Sequence, residues 1–364
     1  MGSPTEIYVD PAINANSGSG TIGSPYGDLQ YALNSVTRDS TNGNRFNIKA
    51  GTAEVLSATI SFTTYGTPTA TAPCIFEGYT AAAGDGGIAT ISCGGGAFGL
   101  ASSVANCYWK CLTFTASSAA IFANVTTNNN FDSCVFTGLT GSGAVIAIAG
   151  GTVTRCQFTI TTGASAIQSS ADTFMAYNFV SGPGAGGTGI RANTASGSSI
   201  LRNIIVGCNA YGILGSNLCE LHHNTVLATG ATGRGIWIEN ALSARYQVLS
   251  NYVEGYSGAG GQGYDLEGDI NLLGMNAAFG NTTNFSYDSD RHINAGDDES
   301  LVSTGLAKSG AMTYANRAAY FAPANVGNMR SGAFPGGIGL SKGAIQYAGG
   351  SSRPSNPFLS GVIG

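Results

Sequence analysis

The chain has 364 residues and a formal net charge of −5, an acidic balance that argues against nucleic-acid binding through a basic footprint. Glycine numbers 55, close to double ordinary usage, while charged residues make up 10% against a usual ~25%. With 43% hydrophobic residues the chain is a folded protein and not a disordered tract, and no apolar run approaches the ~20 residues of a membrane span.

The first predicted element is a strand over Ile7–Asp10, followed by a Gly/Ser loop through Ser24. Ser24-Pro25 has the form of a helix N-cap with proline at the first helical position, and Tyr26, Leu29, Leu33 and Val36 follow at helical spacing. We expect a three-turn amphipathic helix here. The opening residues show neither a basic start nor an apolar signal core, so the sequence favours a protein that does not use the secretory route, or one whose signal has been removed. From about Asn47 to Cys107 the pattern is irregular, with probable strands at Ile75–Gly78 and Ala89–Ser92.

From Cys111 to Asn276 the sequence repeats. Cys111, Cys134, Cys156, Asn178, Asn203, Asn224, Asn251 and Asn276 recur every 21 to 27 residues, with Phe136, Phe158, Val180, Ile205, Val226 and Val253 two places after their anchors. A second ladder of a small residue followed by an apolar one runs through Ala120-Ile121, Ala144-Val145, Ala166-Ile167, Gly189-Ile190, Gly212-Ile213, Gly235-Ile236 and Gly263-Tyr264. Short strand-like runs at this period describe stacked coils, and the fold expected is all-β: a single-domain right-handed parallel β-helix. Asparagine suits the anchor twice over, since it tolerates a left-handed bend and its amide can bond to the same residue one coil away. Cysteine fills that slot in earlier coils as a small buried hydrophobe. No cysteine spacing matches a metal site, and the residues favour reduced thiols over a disulfide framework.

After about Asn281 the repeat decays, passing Asp297-Asp298-Glu299, a helical-looking Met312–Tyr320 and a tail from Ser351. The expected division is 1–46 as N-terminal strand, loop and capping helix, 47–280 as β-helix, and 281–364 as C-terminal cap and tail. Ile7-Tyr8-Val9-Asp10-Pro11, the Gly/Ser loop and the capping helix resemble the opening of pectate-lyase-like right-handed β-helix proteins. Gly343-Ala344-Ile345-Gln346 is similar to their closing strand. That resemblance implies a fold and not a reaction.

Strand alternation turns two rows outward: Phe122, Ile146, Gln168, Arg191, Leu214, Trp237, Asp265, and Asn124, Ile148, Ser170, Asn193, Ser216, Glu239, Glu267. Glu239, Glu267 and Asp265 are the candidate catalytic carboxylates, at separations suited to glycoside hydrolysis or to holding Ca²⁺. Trp237 offers a flat face for a sugar ring, with Arg191 and Asn193 as further ligand-binding candidates. The competing reading is a solvated acidic end with Trp237 at a subunit contact. His222 should face the core and His223 the solvent, so they do not make one metal site. A mostly apolar row, Leu112, Val135, Gln157, Phe179, Ile204, Thr225 and Tyr252, should be covered by the C-terminal tail or by another subunit.

The signatures of polygalacturonase-type enzymes are absent, and no lysine lies between Lys110 and Lys308, which removes a lysine-based lyase from the regular coils. A polyanionic substrate would meet an acidic patch, whereas a neutral glycan would not. Low charge and Gly/Ala/Ser/Thr/Asn richness resemble the β-helical spikes, fibres and decoration proteins of bacteriophage particles. The resemblance implies synthesis in the host cytoplasm, a place on the virion surface, self-association as a homotrimer, contact with other virion proteins and with surface glycans, and no cofactor. A carbohydrate-active enzyme and a secreted adhesin are the alternatives.

Overall fold

The computed structural model describes residues 2–13, 16–93, 105–116, 122–125, 128–139, 143–161, 163, 165–182, 186–193, 197–216, 218–239, 246–267, 270–274, 276–287, 298–300 and 312–315. Each regular coil carries three strands. Thr188–Ala192, Ser198–Leu201 and Ile204–Val206 make one coil, and Tyr211–Gly215, Cys219–His222 and Thr225–Leu227 the next. Every strand pairs in parallel with its equivalent one coil away: Ile190 with Ile213, Ile200 with Leu221, Ile205 with Val226. First and second strands share a 17-stranded sheet, and third strands form an 11-stranded one. The chain is therefore a parallel β-helix, whose ladder already begins at Thr5–Val9 against Asn44–Lys49.

The core fills the inside of the coils. Phe114, Phe136 and Phe158 are fully buried and stack at 5.2 and 4.7 Å, and Phe76 stacks on Trp109 at 4.1 Å. Parallel register is the reason: identical residues fall in line one coil apart, about 4.8 Å away, which is the spacing at which rings stack. Each such side chain contributes about 1.5–3 kcal/mol by burial.

The asparagine ladder is fully bonded. Asn203 Oδ1 accepts from the Asn178 main-chain N–H at 3.0 Å and from Asn178 Nδ2 at 2.9 Å, while Asn203 Nδ2 donates to Met175 O and Asn224 Oδ1, both at 3.0 Å. The same pattern joins Asn224, Asn251 and Asn276. Cys134 reproduces one bond of it, its thiol donating to Trp109 O at 3.4 Å. None of the eight cysteines is disulfide-bonded.

Three details of register differ from expectation. Cys111 pairs with the residue before the anchor: it has φ 51°, as Ser133, Arg155, Tyr177, Arg202, His223 and Ser250 have 54–59°, and Leu112 fills the buried slot 22 residues before Cys134. The left-handed bend thus belongs to the residue preceding each anchor, and the asparagines serve hydrogen bonding alone. In the second ladder Ile146, paired with Ile167, is the inward residue, so in this coil the ladder runs one place later than Val145 suggested; Ile121 lies outside the described residues. Ile146 and Ile148 are buried, at 0% and 1% exposure, and the outward position of that coil is taken by Ala147. His222 also turns the other way: Leu221 is buried at 0%, and His222 sits half-buried on the outside in line with Leu201 and Leu249.

At the N-terminal end Leu29, Ala32 and Leu33, all at 0% exposure, close the core as expected, but the helix is shorter than predicted. It spans Leu29–Ser35 with Asp28 as N-cap, because Tyr26 is held in a bridge to Val9 and cannot enter the helix. At the other end Met312 packs with Phe179, Ile204, Leu227, Tyr252 and Ala277, and Tyr314 meets Phe179 edge-on at 5.8 Å. The apolar row on the third strands is thus covered, over this stretch, by the chain's own C-terminal segment. Met312–Ala315 is not helical: Met312 and Thr313 are irregular, and Tyr314 and Ala315 form a turn. The rest of the helical reading to Tyr320, the 343–346 strand and the tail from Ser351 lie outside the described residues.

Candidate functional site

The site is built on the outer face of successive first strands. Gly212 and Gly235 sit at the corner where each such strand begins. A Cβ on Gly212 would collide with Val226 Cγ1, and one on Gly235 with Val253 Cγ1, so both positions point inward. The residue before each glycine therefore faces out in addition to the predicted rows. This adds a column that alternation alone did not reveal: Thr188, Tyr211, Arg234, Gln262 and Thr283. The neighbouring column is Gln168, Arg191, Leu214, Trp237, Asp265 and Ser286.

Arg234 is the centre of the arrangement. Its Nε donates to Gln262 Oε1 at 3.0 Å and forms an ion pair with Asp265 Oδ2, and its guanidinium lies 4.5 Å from the Trp237 ring centroid. Trp237 in turn stacks on Tyr211, with centroids 4.9 Å apart. The predicted outward carboxylate Asp265 is on the outward face but only 4% exposed, because the arginine of the preceding coil folds over it. Trp237 is likewise already engaged by an aromatic ring and a cation, and Tyr211 is the ring of the pair that lines the adjoining cleft.

Glu239 and Glu267 follow their strands in equivalent positions, their main-chain N–H groups donating to Gly215 O and Ile238 O one coil back. Glu239 is exposed and accepts from Ser216 Oγ at 3.0 Å. Arg191 and Asn193, two coils away, bond to each other, Nε to Oδ1 at 2.7 Å. The predicted residues thus lie on one face but not in one cluster: Trp237 and Asp265 join Arg234, Glu239 and Glu267 form a separate acidic row, and Arg191–Asn193 stands apart. Among the described residues no three of His, Cys, Asp and Glu gather to hold a metal ion.

Beside this face lies a cleft of about 530 Å³ lined by Gly186, Asn209, Ala210, Tyr211, Thr232, Gly233, Arg234 and Gly260. It is formed by the loops that enter four consecutive first strands. Sequence reading missed Tyr211 and did not place Arg234 on this face. The signal was present in the recurrent position before Gly-Ile, but it required knowing that the glycine occupies a corner.

Chemically, the face offers aromatic surface, a neutralised arginine and two carboxylate acceptors, a set suited to holding hydroxyl groups. Fold and face together define a β-helix protein with a lateral recognition surface. A family model described as right handed beta helix region matches residues 97–253, and the chain is a right-handed parallel β-helix. No curated protein matches it. A fold of this kind supports a structural or a carbohydrate-interacting role.

Proposed function

We propose that the protein is a structural and recognition element of a bacteriophage particle, displayed on the virion surface and binding a glycan through the outer face of its first strands. The observation that carries the recognition half is the Arg234–Asp265 pair set between Trp237 and Gln262. A carboxylate buried in an ion pair holds its partner side chain in place. Two adjacent aromatics beside fixed polar groups suit a sugar, which presents both an apolar ring face and hydroxyls.

The structural half is supported by the low charge of the chain and by the continuous asparagine ladder, which bonds coil to coil. Synthesis in a host cytoplasm accords with eight cysteines that form no disulfide. Self-association as a homotrimer and docking to other virion proteins belong to the same proposal. The test is the native mass in solution followed by a screen for glycan binding and degradation on the same sample. A stable oligomer that binds glycan without shortening it is the expected result.

A second reading, a polysaccharide hydrolase, is favoured by one observation: Glu239 and Glu267 stand in equivalent positions of neighbouring coils. A monomer that shortens a polysaccharide, and stops doing so on Glu239→Gln or Glu267→Gln, would establish it in place of the first.

A further inference from the structure

Building on the reading that this face binds glycan, we propose that the cleft at Tyr211 and Arg234 is a subsite for one neutral, hydroxyl-rich sugar unit. Its size, about 530 Å³, falls within the ~300–1,000 Å³ of small-molecule sites. Its lining has a composition that decides the ligand class. The floor and rim are mostly small residues, three of them glycines, one wall is the Tyr211 ring, and Arg234 supplies the only charge among the lining residues.

Arg234 enters the site already orientated. Asp265 and Gln262 engage its Nε, Trp237 lies along its guanidinium, and no described residue accepts from its two Nη atoms. Four N–H donors are therefore left for a ligand by a side chain whose position is set from three sides. Asp265 also cancels the charge of the arginine, and Glu239 and Glu267 add negative charge further along the same face. An anionic sugar is disfavoured by this field, whereas hydroxyl oxygens accept from the Nη donors at no electrostatic cost. Tyr211 supplies the apolar wall against which a ring packs.

Gly186 provides a clean probe. It lines the cleft, has no left-handed φ, and a Cβ built on it meets nothing within 4 Å. Gly186→Phe thus fills the cleft without disturbing the core or the Arg234 pair. The experiment measures binding of the full chain to immobilised neutral and uronate-containing oligosaccharides for the native protein, Gly186→Phe, Tyr211→Ala and Glu220→Gln, with melting temperature recorded for each. We expect native binding to neutral glycans, weakened about tenfold or more by Gly186→Phe and by Tyr211→Ala at unchanged melting temperature. Glu220→Gln, exposed on a second strand away from this face, should bind as the native protein does.

Glycan binding that Gly186→Phe leaves intact would overturn the cleft as the subsite while leaving the glycan reading standing. Binding confined to uronate-containing glycans would overturn the neutral class. No binding to either set would remove the glycan reading itself and the subsite with it.

Discussion

Asn276 donates twice to a single oxygen of Asp298: its main-chain N–H at 2.9 Å and its Nδ2 at 3.0 Å both meet Oδ1. The asparagine ladder therefore ends on an aspartate, whose second oxygen is taken by the Tyr287 hydroxyl at 2.6 Å. An aspartate suits the last rung because it accepts from the coil before and has no amide hydrogens that need a partner beyond.

An interior rung behaves differently. Asn224→Asp keeps the acceptor for Asn203 but loses the Nδ2 bonds to Ile200 O and Asn251 Oδ1, and sets two oxygens against each other. We expect a loss of roughly 2–6 kcal/mol in denaturant unfolding, at about 1–3 kcal/mol for each of the two buried acceptors left without a donor. Asp298→Asn, at the end of the ladder, should cost less than about 1 kcal/mol, since Oδ1 still accepts and Tyr287 can reverse its bond.

Glu54 gives the stability of the N-terminal cap a pH dependence. It is 2% exposed, its Oε1 accepts from the Leu29 N–H at 3.1 Å, and burial pushes its carboxyl up to about 7. The folded value lies above the unfolded one, so folding favours the protonated form. This contribution is fully present below about pH 4.3 and is lost as pH rises through 7. Its size is on the order of 3 kcal/mol. Glu54→Gln keeps the acceptor and removes the charge, so unfolding curves at pH 5 and pH 8 should converge relative to the native protein.

Gly212 should tolerate no side chain. Gly212→Ala places a Cβ against Val226 Cγ1 and the Gly235 carbonyl, and the backbone atom cannot rotate away. We expect about 1–3 kcal/mol of destabilisation, read as a lower melting temperature. Gly186→Ala, with open space around it, should be close to neutral.

Met312 and Tyr314 shield Phe179, which is only 2% exposed beneath them. Replacing both with serine uncovers an apolar row on the third strands. Binding of a hydrophobic dye should rise, and the native mass should shift upward with concentration, while the far-ultraviolet spectrum stays that of a β-helix. A variant with native dye binding and native mass would show that other residues cover the row.

The repeat from Cys134 to Asn276 was legible because a β-helix stacks equivalent residues in register, so one structural slot leaves one periodic mark. The run of asparagines from Asn178 to Asn276 is an example: there the slot makes two acceptor and two donor bonds in a buried place, and one residue type supplies them. Phe136, Phe158 and Val180 stood out for the same reason, as residues occupying a repeated interior position. The terminal helix was legible as a cap but not in its start, since the bridge between Tyr26 and Val9 is a contact across the coil and leaves no local trace.

What the sequence by itself determined about this protein is thus the solenoid, its period and most of its inward face, all properties that recur along one chain direction. Only the tertiary structure decided that Arg234 folds over Asp265, that Tyr211 and not Trp237 lines the cleft, and that Met312 lies on Phe179. Those contacts join different coils or distant segments. They depend on the exact register that loops of unequal length impose, and on the one corner glycine that turns its neighbour outward.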